Sequence, residues 1–68
     1  MLTRNENLPP VLTIKQVATY FNRSTKTIRN RIKSGELKSY REGQEYRFRR
    51  EWILEYEQSL ILKGGIDL

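Results

Sequence analysis

The stretch Ser24-Thr25-Lys26-Thr27-Ile28-Arg29-Asn30-Arg31-Ile32-Lys33-Ser34-Gly35-Glu36-Leu37 decides how this chain is read. The large apolar residues before Gly35, Ile28 and Ile32, stand one helical turn apart, so a helix here turns only a narrow stripe toward a core. On such a helix Asn30 lies almost opposite the isoleucines, with Lys26 and Lys33 beside it and Thr27 and Arg29 on the flanks. Ser24 is placed to accept a hydrogen bond from an early amide. Gly35 suits the left-handed residue that ends a helix. The reading is a helix over 25–34 with a thin buried face and a broad basic, hydrogen-bonding face outward. Arg31 falls nearer the core side, where it is expected to lie along apolar surface or pair with a carboxylate such as Glu51 or Glu55.

Upstream, Ile14, Val17, Ala18 and Phe21 follow an i, i+3, i+4, i+7 pattern, and Thr13 with Gln16 has the spacing of a capping box. This predicts a first helix over 14–21, separated from the second by the turn-forming Asn22-Arg23-Ser24. Downstream, Leu37 to Arg41 and Tyr46 to Arg49 read as two strands joined by Glu42-Gly43-Gln44-Glu45, with Gly43 supplying the positive φ of a hairpin. In the second strand Tyr46 and Phe48 are expected to face the core and Arg47 and Arg49 to face out. Leu37 and Tyr40 have opposite parities, so one faces solvent or a bulge intervenes. A third helix is predicted over 50–62, with Trp52, Ile53, Tyr56 and Leu60 on one side, ending before Gly64-Gly65. The expected organisation is a flexible arm over 1–10, one domain over 11–62 and a tail over 63–68.

With 68 residues, 37% of them hydrophobic, the chain has material for one small core. It has no cysteine and no histidine, which removes the thiolate nucleophile, the zinc knuckle and the commonest general base. Ser24 has no evident activating base, and the carboxylates of the third helix are spread around it, so no enzyme, metal site or cofactor is expected. No apolar run is long enough to span a bilayer. The net charge of +5 is unevenly distributed: residues 23–50 hold ten basic residues against Glu36, Glu42 and Glu45, a net +7, while residues 51–68 carry a net −3. Such a basic centre is the footprint of a polyanion-binding surface.

Two short helices with a tight turn, a basic hairpin and a third helix follow the order of a winged helix-turn-helix, an α+β and mostly helical fold with a two-stranded wing. Leu12-Thr13, Val17-Ala18, Phe21, Ser24, Thr27-Ile28, Ile32, Gly35, Leu37, Gly43 and Tyr46-Arg47-Phe48 together resemble the small excisionase-type DNA-binding family, related to the MerR-type winged helix. The resemblance runs without a gap from Leu12 to Tyr56. It implies double-stranded DNA binding without catalysis, in the cytoplasm of a prokaryotic cell and encoded by a phage or mobile element. It also implies an accessory role, in which several copies bend DNA cooperatively to assist a tyrosine-type integrase in excision. A small transcriptional repressor is the alternative within DNA binding, and a basic module for RNA or an acidic protein is the alternative outside it.

Carried onto this sequence, the resemblance makes the second helix the recognition helix, with Thr25, Lys26, Thr27, Arg29, Asn30 and Lys33 as candidate DNA contacts. Asn30 suits an adenine edge and Arg29 a guanine, whereas Lys26 and Lys33 suit phosphates; Thr25 and Thr27 serve either as contacts or as caps. The wing candidates are Arg41, Gln44 and Arg47. Glu42 and Glu45 depart from the family pattern, because two carboxylates at the tip repel a duplex unless Arg41 and Arg47 pair with them. Phe48 and Trp52 are expected in the core, as are Tyr40 and Tyr46, whose alternative is stacking on unpaired bases. The apolar end, Leu60, Ile61, Leu62, Ile66 and Leu68, is either a surface for head-to-tail self-association or another partner, or a tail folded on the core.

Overall fold

Thr13 ends a strand and opens a helix. In the computed structural model, which describes residues 8–63, Val11–Thr13 form strand β1 and Ile14–Phe21 form helix α1. The Thr13 hydroxyl accepts from the Gln16 amide at 3.2 Å, and the Gln16 side chain accepts from the Thr13 amide at 2.8 Å, completing the predicted capping box. Helix α1 ends in a Schellman turn: Arg23 N–H donates to the Ala18 carbonyl, Asn22 N–H to that of Thr19, and Asn22 takes the left-handed conformation at φ 57°. Helix α2 follows over Thr25–Lys33 and repeats the device at its end, where Glu36 N–H donates to Arg31, Gly35 N–H to Ile32, and Gly35 sits at φ 84°. The chain then forms β2 (Tyr40–Glu42), β3 (Glu45–Arg49) and helix α3 (Arg50–Lys63). The arm expected over 1–10 lies outside the described residues up to residue 7, as does the tail from Gly64 to Leu68 with its Ile66.

The three strands make one antiparallel sheet in the order β1-β3-β2, one strand more than the hairpin predicted from the sequence. Pairing places Leu12 opposite Phe48, and these two inward residues meet Val17, Ala18, Ile28, Leu37, Ile53 and Tyr56 in the core. Phe48 is fully buried, and enclosing a side chain of its size contributes about 1.5–3 kcal/mol. Packing begins before Val11: Leu8 is buried, its carbonyl accepts from the Arg50 guanidinium at 2.9 Å, and the Pro10 carbonyl accepts from Arg50 N–H at 3.0 Å.

Several side chains take places other than those expected. The first wing strand starts at Tyr40, so Leu37 is buried in the preceding turn and Tyr40, 39% exposed, lies on the sheet edge. The parity conflict between them disappears because they never share a strand. Tyr40 meets Trp52 edge to face at 6.1 Å, and Trp52 is half-buried rather than central, because α3 turns Ile53 and Tyr56 under the sheet. Tyr46, half-buried, does pack against the core as expected. Burial holds the Tyr56 phenol above its ordinary pKa, and Phe21 packs edge-on against it at 5.5 Å. Leu60 is exposed with Ile61 and Leu62, the last at 70%. No helix among the described residues is long and apolar enough to cross a membrane.

Candidate nucleic-acid interface

Helix α2 is held from both sides, which fixes what it shows to solvent. Its N-terminus is capped by Ser24, whose hydroxyl accepts from the Thr27 amide at 3.1 Å and lies 3.1 Å from the Thr27 hydroxyl. Its underside is pinned by buried Ile28 and half-buried Ile32. Lys26, Arg29, Asn30 and Lys33 are therefore exposed together, at the i, i+3, i+4, i+7 spacing of a single helix face. None of these three cations joins an ion pair among the described residues. Thr25 and Thr27 flank this face and are half-buried, Thr27 being drawn into the cap.

Arg31 is turned away from that face, as expected, but its partner differs. It lies 3.7 Å from Glu36, which the Schellman turn folds back beside it, and the Ser34 hydroxyl has two acceptors within reach, Glu36 at 2.9 Å and the Arg31 carbonyl at 3.0 Å. Glu55 and Glu51, the partners expected from the sequence, sit near Lys38 at 3.9 Å and Arg49 at 3.4 Å instead. Glu51 is in the first turn of α3, where its own backbone amide keeps its carboxyl below the ordinary value.

The wing turns at Gly43, φ 67°, with Gln44 beside it and Glu42 paired across the strands to Glu45. Positive φ at the first loop residue alone is the pattern of a type II′ turn, whose twist matches the flanking strands. Arg41 is exposed, with its guanidinium 4.6 Å above the Tyr46 ring, a cation–π contact on the face opposite Arg47. Arg47 is 23% exposed and bridges both tip carboxylates, at 3.4 Å to Glu42 and 2.9 Å to Glu45, while also donating to the Tyr46 carbonyl.

These parts border one cleft of about 480 Å³. Thr25 and Arg29 line it from α2, Gln44 and Arg47 from the wing, and Thr13 to Lys15 from the start of α1. Of the sequence-derived candidates, the cleft brings together Thr25, Arg29, Gln44 and Arg47. Lys26, Asn30 and Lys33 share the exposed helix face with Arg29, and Arg41 stands apart over Tyr46. Lys15 was not expected at the site. Its only signal is an exposed lysine in the first turn of α1, and β1 is what sets that turn against the wing.

An exposed helix with unpaired cations, set beside a hairpin at the edge of a shared cleft, has the shape and charge to lie against a duplex whose major groove is about 12 Å wide. Neither curated proteins nor solved structures give a match. A family model described as a helix-turn-helix domain matches residues 11–60, from β1 into the last turns of α3. Domains of this kind typically bind DNA without carrying out catalysis. The match covers most of the chain and includes both capped helices and the wing, so the protein belongs to the helix-turn-helix domain family, and double-stranded DNA is the partner this membership supports.

Proposed function

We propose that the protein is an excisionase-type accessory factor, which reads DNA with α2 and presents bent DNA to a tyrosine-type integrase. The observation that carries the DNA-reading part is the exposed row Lys26, Arg29, Asn30 and Lys33 on a helix capped at both ends. In this reading Asn30 and Arg29 meet base edges, Lys26 and Lys33 meet phosphates, and Thr25 sits at the rim where α2 approaches the wing. Thr27 acts through the cap it shares with Ser24. Arg41 and Gln44 are the wing's contacts, lying along the backbone rather than deep in the minor groove, because carboxylates flank the tip.

One recognition helix reads few base pairs, which is thin specificity against a genome, so several copies are required on neighbouring sites. Exposed Leu60, Ile61 and Leu62 and the acidic C-terminal segment favour head-to-tail contacts with the basic centre of the next copy. The experiment is selection of bound duplexes from a random pool at about physiological salt, followed by a gel titration. A motif repeated in one orientation, loaded stepwise and cooperatively, is expected. A single palindrome would assign the protein to dimeric repressors instead, and no enriched motif would withdraw base reading by α2.

A further inference from the structure

The carboxylates at the wing tip have no evident use in folding. Glu42 and Glu45 are directly opposed across the two strands, and like charges in that position destabilise a hairpin. Arg47 relieves the repulsion by bridging both, but one carboxylate would suffice to pair it. The exposures show which charge a ligand meets: the Glu42 and Glu45 side chains are 68% and 69% exposed, and Arg47 beneath them is 23% exposed. Between Tyr40 and Arg47 the wing has two arginines against two glutamates, so it brings no net charge to a duplex that approaches α2.

We infer that Glu42 and Glu45 are specificity-determining residues, which hold Arg47 in an internal pair and so suppress attraction of the wing to phosphates of any sequence. The inference rests on the DNA-binding reading. Sequence-independent affinity grows with each phosphate that a cation neutralises, each changing the slope of log K against log salt by about 0.9. A wing with Arg47 free would add such a contact on every duplex alike, and would raise binding to competitor DNA without adding any base contact. With Arg47 held, Lys26, Arg29 and Lys33 stand beside Asn30 on α2 without an ion-pair partner among the described residues, so on that helix charge attraction and base reading occur on the same surface.

The test compares the full-length wild type, the Glu42→Gln/Glu45→Gln variant and the same variant with Arg47→Gln added, each confirmed as folded by circular dichroism. Each is titrated across a salt series with a random-sequence duplex and with a duplex recovered by selection. The double variant is expected to bind the random duplex about threefold to tenfold more tightly, with a salt slope steeper by about one, and to show a smaller ratio of selected to random affinity. The triple variant is expected to bind the random duplex no more weakly than the wild type. An unchanged double variant would overturn the inference. So would a triple variant weaker than the wild type, which would make Arg47 a phosphate contact in spite of its pairs, or a double variant that loses only the selected duplex, which would make a glutamate a base reader. A wild type with no salt-dependent binding to either duplex would overturn the DNA reading itself; salt-dependent wild-type binding with unaltered variants would overturn this inference alone.

Discussion

Helix α2 and the wing are both rich in cations, but they hold them differently. On α2, Lys26, Arg29 and Lys33 project from one face without an ion-pair partner among the described residues. In the wing, Arg41 lies over an aromatic ring and Arg47 lies between two carboxylates. The difference follows from secondary structure. A helix spreads successive side chains around its axis, so a row without acids can stay separate from its neighbours. A two-residue hairpin brings opposed residues within reach of one another, so a charge there meets the next charge. Counting basic residues therefore overstates what the wing offers a polyanion and describes α2 well.

The comparison collapses if the support common to both regions is removed. Phe48 lies on β3, the wing strand that sits between β1 and β2, and packs in the same core as Ile28 of α2. Phe48→Ala is expected to cost about 3–5 kcal/mol, a large share of the stability of so small a domain, and to abolish DNA binding by unfolding. Denaturant titration followed by circular dichroism measures it. A folded variant with intact binding would show that α2 and the wing do not depend on one core.

A smaller effect separates base reading from charge. Asn30 has no charge and is exposed in the middle of the cationic row, so Asn30→Ala is expected to leave the salt slope unchanged and to cost about 1–3 kcal/mol at one or two positions of a selected duplex. Binding to panels of single-base variants of that duplex measures the loss. A uniform loss over all sequences would move Asn30 to the phosphate contacts. Next in size is the cap. Ser24→Ala removes the acceptor of the Thr27 amide and is expected to cost about 1 kcal/mol of stability, measured by denaturant midpoint, with the wing unaltered.

The cap and the helix it starts were legible in the sequence because their signals are local. Thr13 with Gln16, Ser24 before Thr27, and Gly35 after Lys33 act across three or four residues, and the structure places each where the spacing put it. Strand β1 was not legible. Val11-Leu12-Thr13 is too short to show alternation, Thr13 already serves the helix cap, and the partner Phe48 is remote in sequence. Trp52 failed for a related reason. Helical period identifies an apolar side, but the width that is covered depends on the small sheet, which reaches Ile53 and leaves Trp52 beside Tyr40. At the site, the exposed α2 row followed from period alone, whereas the Arg47 bridge required the hairpin register and the Arg31–Glu36 contact required the turn at Gly35.

That last contact gives the finest test of the comparison, because it lies on α2 itself. Arg31 is a helix cation like its neighbours but is held 3.7 Å from Glu36 and turned away from the exposed face. If pairing and direction decide what a duplex feels, then Arg31→Gln is expected to change the salt slope hardly at all, whereas Lys33→Gln lowers it by about 0.9. The stability cost of Arg31→Gln is expected to be about 0–1 kcal/mol, since both partners of the pair are substantially exposed. Equal slopes for the two variants would mean that local charge density on α2, and not the exposed row, attracts the duplex. Unequal slopes in the expected sense would extend the contrast between α2 and the wing to two residues of the same helix, with secondary structure held constant and only pairing and orientation changed.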